Sequence, residues 1–341
     1  MSDVIEKSRR YLIVGPSWVG DMVMAQSLFI TLKNIYPDCV IDVVAPKWSL
    51  PILERMPQIN RGIALPVGHG KFSLWIRIKT GLTLRKQGYT HAIVLPRSWK
   101  SALIPFFAKA RVRTGYRGEM RYGLLNDVRK LDKNTLKKTV QRYVAHARDA
   151  KLDSALETPF PRLEVDTLNR ERLIEALALD LARPVIAMMP GAEYGPAKQW
   201  PEKYYKDLAA LLLAKGYQVW VIGSGKEKAL GQIIIEGLGQ YATNLCGKTE
   251  LVDAVDLLSC AEQAVTNDSG LMHVAAAVGI KINVIYGSST PDYTPPLCSG
   301  KNMEIFYKKL SCSPCFKRVC PLGHTNCLRE ITAEDVFERL C

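Results

Sequence analysis

Short apolar runs of strand length recur along the chain, each followed by a turn and a longer stretch of helical period. Leu12–Val14 reads as a strand, Met22–Ile35 as a helix closed before Pro37, and Val40–Ala45 as the next strand; His91–Leu95 repeats the signal. The rhythm breaks over Leu152–Leu173, which is polar, acid-rich and carries Pro159 and Pro161, and a short helical pattern then runs to about Leu181. It restarts with strands at Val185–Met189, Tyr217–Ile222, Asn244–Cys246, Gln263–Thr266 and Ile282–Tyr286. Helical segments alternate with them at Pro201–Lys215, Glu227–Leu238, Leu251–Cys260 and Leu271–Val278. Strands separated by helices predict parallel sheets with right-handed crossovers. The expected fold class is α/β, with two Rossmann-like, doubly wound domains facing a central cleft, residues 1–170 and 171–341. Ligands in such folds sit at the carboxyl ends of the strands.

Composition narrows the setting. A chain of 341 residues exceeds the usual size of one core, and 48% apolar with 23% charged residues is ordinary for a soluble protein. No apolar run approaches the roughly 18 residues that span a bilayer. The start, MSDVIEKSRR, mixes acids and bases ahead of a strand-length run, unlike a signal peptide, so a cytoplasmic protein is expected. The net charge of +13 is uneven: between Arg97 and Arg148 fourteen Lys and Arg face three acids, a local +11. Such density, interleaved with Tyr116, Tyr122 and glycines, suits a polyanionic partner. Nucleic acid, an anionic membrane face and a phosphorylated glycolipid all satisfy it, and a merely solvated surface is the plain alternative.

The richest chemistry lies in Thr266-Asn267-Asp268-Ser269-Gly270-Leu271-Met272-His273, where a strand meets a helix. Asp268 or Ser269 is placed to cap that helix, whose free N–H groups and positive dipole end favour a phosphate. Gly270 lets a ligand approach the backbone, and His273 lies one turn in. Ordinary capping beside a core histidine explains the same residues, but other loops after strands share the edge. These are PGAEYGPAKQWP with Lys198, GSGKE with Glu227, and YGSSTPD from Tyr286. Lys198 suits a diphosphate leaving group, and Glu227 suits ribose hydroxyls or a first-turn cap. Neither G-x-G-x-x-G nor G-x-x-x-x-G-K-[ST] occurs in these loops, which weakens dinucleotide and P-loop readings. In GPSWVGDMVM, residues 15–24, a strand–loop–helix of nucleotide-binding form ends in a carboxylate, Asp21, that the positive helix end keeps ionised.

Together, GPSWVGDMVMAQSL, RTGYRGEMRYGLLNDVR, PGAEYGPAKQWP, TNDSGLMHVAAA and YGSSTPDYTPP resemble the ADP-heptose:lipopolysaccharide heptosyltransferases, within them the heptosyltransferase II branch. The resemblance runs from about Tyr11 to Pro296. It implies GT-B architecture and inverting, metal-independent transfer without a cofactor, from an ADP-heptose donor to a lipopolysaccharide inner-core glycolipid. On this chain it makes Asp21 the general base and sets Lys198 on the diphosphate. Asp268 would hold heptose hydroxyls, with Ser269, Gly270 and His273 on the phosphates. Glu227 is the choice for the ribose, and adenine would sit near Gly247–Thr249, so Thr249 joins the donor set. Arg97, Lys100, Arg113, Arg117 and Arg121 would meet the acceptor's carboxylates and phosphates, guanidinium groups suiting such oxyanions bidentately. The same surface would hold the protein peripherally at the anionic inner face of the inner membrane.

Nine cysteines include Cys312, Cys315, Cys320 and Cys327, with His324 among them. Four thiols and an imidazole are enough for a zinc or iron–sulfur site, yet the spacing matches no standard finger, ribbon or ferredoxin. Reduced thiols are the default for a cytosolic enzyme. A zinc-containing nucleic-acid-binding protein would use this cluster and the basic stretch but would leave Asp21 and the Asp268–His273 element without a task. No nucleic-acid partner is therefore expected. The nearer rivals are heptosyltransferase I and other GT-B nucleotide-sugar transferases.

Overall fold

The computed structural model describes residues 9–66, 73–148 and 157–341. The N-terminal residues MSDVIEKS and the first part of the Leu152–Leu173 linker, to residue 156, lie outside the described residues. The chain forms two compact units, Met1–Pro161 and Arg162–Cys341. The helix Thr167–Ala176, which a boundary at 170 would cut, belongs to the second unit. There the Asn169 amide donates to Asp253 and Asp256 at 2.9 and 2.7 Å.

The first unit is built on β1 (Arg10–Val14), β2 (Val40–Pro46), β3 (Arg61–Leu65), β4 (His91–Val94), β5 (Val112–Tyr116) and β6 (Asp127–Arg129). They form one six-stranded parallel sheet in the order β3-β2-β1-β4-β5-β6. The second unit repeats the plan with β7 (Val185–Met189), β8 (Gln218–Val221), β9 (Ala242–Asn244), β10 (Ala261–Asn267), β11 (Lys281–Ile285) and β12 (Met303–Phe306). Its order, β12-β11-β10-β7-β8-β9, is the same doubly wound winding. In each sheet the order reverses between the first and fourth strands of the unit, β1 beside β4 and β7 beside β10. At such a switch point the two following loops diverge and leave room for a ligand.

The central strands are continuous apolar runs because helices cover both faces of a parallel sheet. Leu12, Ile13, Ile186, Met188 and Val265 are buried, and the core of the second unit gathers around Trp200 and Tyr205. Trp200 completes its burial by donating its indole N–H to the Ile331 carbonyl at 2.8 Å. Four strands escape the hydrophobic pattern: β3, β5, β6 and β12. All lie away from the middle of their sheets, where one-sided burial admits residues such as Arg61, Arg113, Asp127 and Glu304. The strand expected at Asn244–Cys246 begins two residues earlier, at Ala242.

Candidate active site

The second unit places its polar groups at the β7/β10 switch point. Lys198 lies in the loop after β7, in a single turn of 3-10 helix behind Pro196, and its Nζ meets Asp268 Oδ2 at 2.5 Å. Asp268 directly follows β10 and is only 5% exposed. Its Oδ2 also accepts from the Ser289 hydroxyl at 2.5 Å, from the loop after β11. The Tyr194 ring stands 5.2 Å from the Lys198 ammonium, close enough for cation–π attraction. Beneath this cluster lies Asn267, fully buried, whose Oδ1 accepts from the Trp200 N–H at 3.0 Å and the Tyr205 hydroxyl at 3.2 Å. Its amide donates to the Pro190 carbonyl at 2.7 Å. One side chain thus fixes both ends of the Lys198 loop against the end of β10.

Ser269 occupies the N-cap of the helix Gly270–Val278 in extended conformation and makes no side-chain cap bond, so the first N–H groups of the helix are not closed off by that hydroxyl. His273 is buried one turn into the helix, and burial pushes its pKa down to about 4, with the Lys198 cation lowering and Asp268 opposing. Its Nδ1 has no hydrogen-bond partner among the described residues, nor has the buried Ser288 hydroxyl. Two buried polar atoms left unsatisfied around an ion pair cost free energy unless a ligand completes them.

Glu227 stands between the loops after β7 and β8, where a side chain at Gly191 or Gly223 would crowd it. Its Oε2 accepts from the Ser224 N–H at 2.8 Å and hydroxyl at 2.6 Å, closing a capping box. Thr249 is half-buried in the turn after β9. The cysteine-rich segment braces these loops. Phe316 N–H donates to the Ser288 carbonyl at 2.7 Å, the Ser313 hydroxyl to Gly287 at 2.6 Å, and Ala197 N–H to Arg318 at 3.0 Å. Cys312, Cys315, Cys320 and Cys327 are free thiols. Among the described residues no group of three or more His, Cys, Asp or Glu is arranged to hold a metal ion.

In the first unit Asp21 lies in the first turn of the helix Val19–Ile35, at the β1/β4 switch point, and accepts from the Tyr143 hydroxyl at 3.0 Å. The five basic residues expected on the acceptor are not equivalent. Arg121 is 2% exposed and donates to the carbonyls of Pro96 and Tyr116. Arg113 donates to the carbonyls of Leu124 and Ala110 at 2.7 and 2.8 Å. Both guanidinium groups hold the chain around β5, and burial lowers both pKa values. Arg97 donates to the Arg117 carbonyl at 3.1 Å. The side chains of Arg117, exposed, and Lys100, half-buried, have no hydrogen bond among the described residues.

The family model for glycosyltransferase family 9 (heptosyltransferase) matches residues 77–326. The chain is a member of that family. Lipopolysaccharide heptosyltransferase 2 of Salmonella typhimurium is 48% identical over 297 residues, 84% of this chain and 85% of that one. Lipooligosaccharide heptosyltransferase 2 of Haemophilus influenzae is 47% identical over 84% of this chain and 85% of its own length. The solved structure of Escherichia coli ADP-heptose lipopolysaccharide heptosyltransferase II superposes with a TM-score of 0.84 at 42% identity, covering 97% of both chains. The family 9 chain is therefore a glycosyltransferase of GT-B architecture, as its motifs imply. Sequence reasoning missed Asn267 as the hub, Ser288 and Ser289 in the third loop, and Tyr143 on Asp21. Only Asn267 and the two serines stood inside motifs already singled out. Tyr143 lies 122 residues from Asp21, and nothing local signals the pairing.

Proposed function

We propose that this family 9 enzyme moves L-glycero-D-manno-heptose from ADP-heptose to the first heptose of the lipopolysaccharide inner core, with inversion and without a metal or cofactor. The observation that supports it best is the Lys198–Asp268–Ser289 cluster at the β7/β10 switch point, with the unsatisfied His273 and Ser288 beside it. Lys198 and the amide end of the helix Gly270–Val278 meet the diphosphate and stabilise the charge that grows on it as the glycosidic bond breaks. Ser269, Gly270 and His273 complete that cradle, Asp268 holds heptose hydroxyls, Glu227 the ribose and Thr249 the adenine end. Asp21 takes the proton from the acceptor hydroxyl as it attacks the anomeric carbon opposite the leaving ADP.

On the acceptor side Arg117, Lys100 and Arg97 face the Kdo carboxylates and phosphates, and Arg113 and Arg121 shape the loop that carries Arg117. The basic stretch works on the cytoplasmic side, held peripherally at the inner membrane. No helix among the described residues is long and apolar enough to cross a membrane. ADP release with ADP-heptose and mono-heptosylated Kdo–lipid A tests the reading. Turnover is expected with that acceptor and not with the heptose-free one or with UDP-sugars. Equal turnover on the heptose-free acceptor makes the protein a first-heptose transferase, and turnover with UDP-sugars removes the donor assignment.

A further inference from the structure

The first unit keeps two tryptophans in view at the loop that carries Asp21. Trp18 immediately precedes the helix Val19–Ile35, three residues before Asp21, with extended backbone and 38% of its surface exposed. Trp48 lies in the turn after β2 and is 43% exposed. Strands β1 and β2 are neighbours in register, Val14 opposite Val44, so these two turns leave the sheet side by side. The Trp48 indole N–H donates to the Ser17 carbonyl at 2.9 Å, which ties that ring to the Asp21 loop. A locked indole costs little further conformational entropy when a ligand lands on it, and it offers a large apolar face whose quadrupole attracts polarised C–H groups.

A pyranose ring has such a C–H face, and the basic residues assigned to the acceptor answer only the ionic groups of a glycolipid. We propose that Trp18 and Trp48 form a stacking subsite for a pyranose ring of the acceptor, setting its reactive hydroxyl toward Asp21. The inference rests on the heptosyl-transfer reading above and names the surface that recognises the neutral part of the acceptor. Stacking on a ring face is sequence-local here: Trp18, Ser17 and Asp21 sit within five residues, and Trp48 is brought in by the parallel pairing of β1 and β2.

The test is steady-state kinetics with ADP-heptose and a de-acylated, mono-heptosylated Kdo acceptor, which removes any lipid surface. Trp18→Leu and Trp48→Leu are each expected to raise the acceptor KM about three- to tenfold, the size of one aromatic contact, with donor KM and ADP affinity unchanged. Trp48→Phe, which keeps a π-face but loses the bond to Ser17, should sit between Trp48→Leu and wild type. A double Leu variant that melts normally, binds ADP normally and keeps its acceptor KM overturns the subsite. So does a phenotype seen only on anionic phosphatidylglycerol vesicles, with indole fluorescence shifted by vesicles lacking acceptor; that outcome makes the pair a membrane contact. A wild type inert toward this acceptor overturns the transfer reading and the subsite together, whereas an active wild type with unaffected variants removes the subsite alone.

Discussion

Asp21 and Asp268 flank the switch points of their two sheets from opposite sides, Asp21 in the helix after the first strand of its unit and Asp268 directly after the fourth strand of its own, and the chain surrounds them differently. Asp268 is buried and one of its oxygens is already shared by Lys198 and Ser289, above an asparagine that ties down the neighbouring loop. Asp21 is half-buried on the first turn of a helix and accepts from the Tyr143 hydroxyl. A carboxylate locked into a buried ion pair fixes geometry, because removing either partner strands the other. A carboxylate at the open end of a helix can accept a proton from something that arrives. Under the proposed mechanism the same residue type beside the two switch points serves positioning in one unit and proton transfer in the other.

Two substitutions separate those roles, and they carry the largest expected effects. Asp21→Asn should lower kcat on the order of 10²–10⁴-fold while leaving ADP affinity near wild type. Lys198→Ala should weaken ADP binding about ten- to a hundredfold, the value of a hydrogen bond to a charged group, and lower turnover as well. Calorimetry with ADP beside single-turnover assays reads both. The comparison breaks if Asp21→Asn weakens ADP as much as Lys198→Ala does, or if Lys198→Ala leaves ADP affinity intact.

The central strands and the strand-end loops were legible because burial on both sheet faces demands unbroken apolar runs, and turns demand small polar residues. The residues proposed for the second site stand in those turns or in the first turns of the helix that follows: Lys198, Asp268 and Ser269 in loops, Gly270 and His273 in the helix. What joins them was not legible. Asn267 finds Trp200 and Tyr205 across 67 and 62 residues, and Ser289 finds Asp268 across 21, distances at which no periodicity operates. The basic stretch misled in a different way. Its charge was read as surface, but Val112–Tyr116 and Asp127–Arg129 within it are strands, and between them Met120 is 88% exposed while Arg121 is buried. Free backbone carbonyls at the end of a sheet need donors, and a guanidinium with five N–H groups supplies them where no strand continues the ladder.

That inversion gives the next effect in size. Arg121→Met should destabilise the protein by about 1–3 kcal/mol, because the carbonyls of Pro96 and Tyr116 lose their donor in a buried setting. Arg117→Met, on the same loop but exposed, should leave the melting temperature within about a degree or two, a surface change worth at most ~0.5 kcal/mol. It should raise the acceptor KM and flatten its dependence on salt, since an exposed charge acts through screened attraction. If both variants melt alike and both raise the acceptor KM, Arg121 belongs with the ligand-facing cations and the structural division between them fails.

The smallest effect compares the two buried histidines, one in each unit. Burial pushes both His146 and His273 down to about 4, the nearby cations Arg129 and Lys198 adding to the shift. A histidine whose folded pKa lies below its unfolded value near 6.5 binds its proton more readily in the unfolded chain. Between about pH 6.5 and 4 unfolding takes up protons, so stability rises with pH across that window and falls on acidification. Melting temperatures from pH 7 to 4.5 should therefore drop more steeply for wild type than for His146→Gln or His273→Gln. Saturating ADP should separate the two: a diphosphate beside His273 favours its charged form and raises its folded pKa, removing its share of the slope. The share of His146, packed edge-on to Tyr116 in the first unit, should survive ADP unchanged. Equal flattening of both shares by ADP would show that the nucleotide does not meet the second unit's histidine specifically.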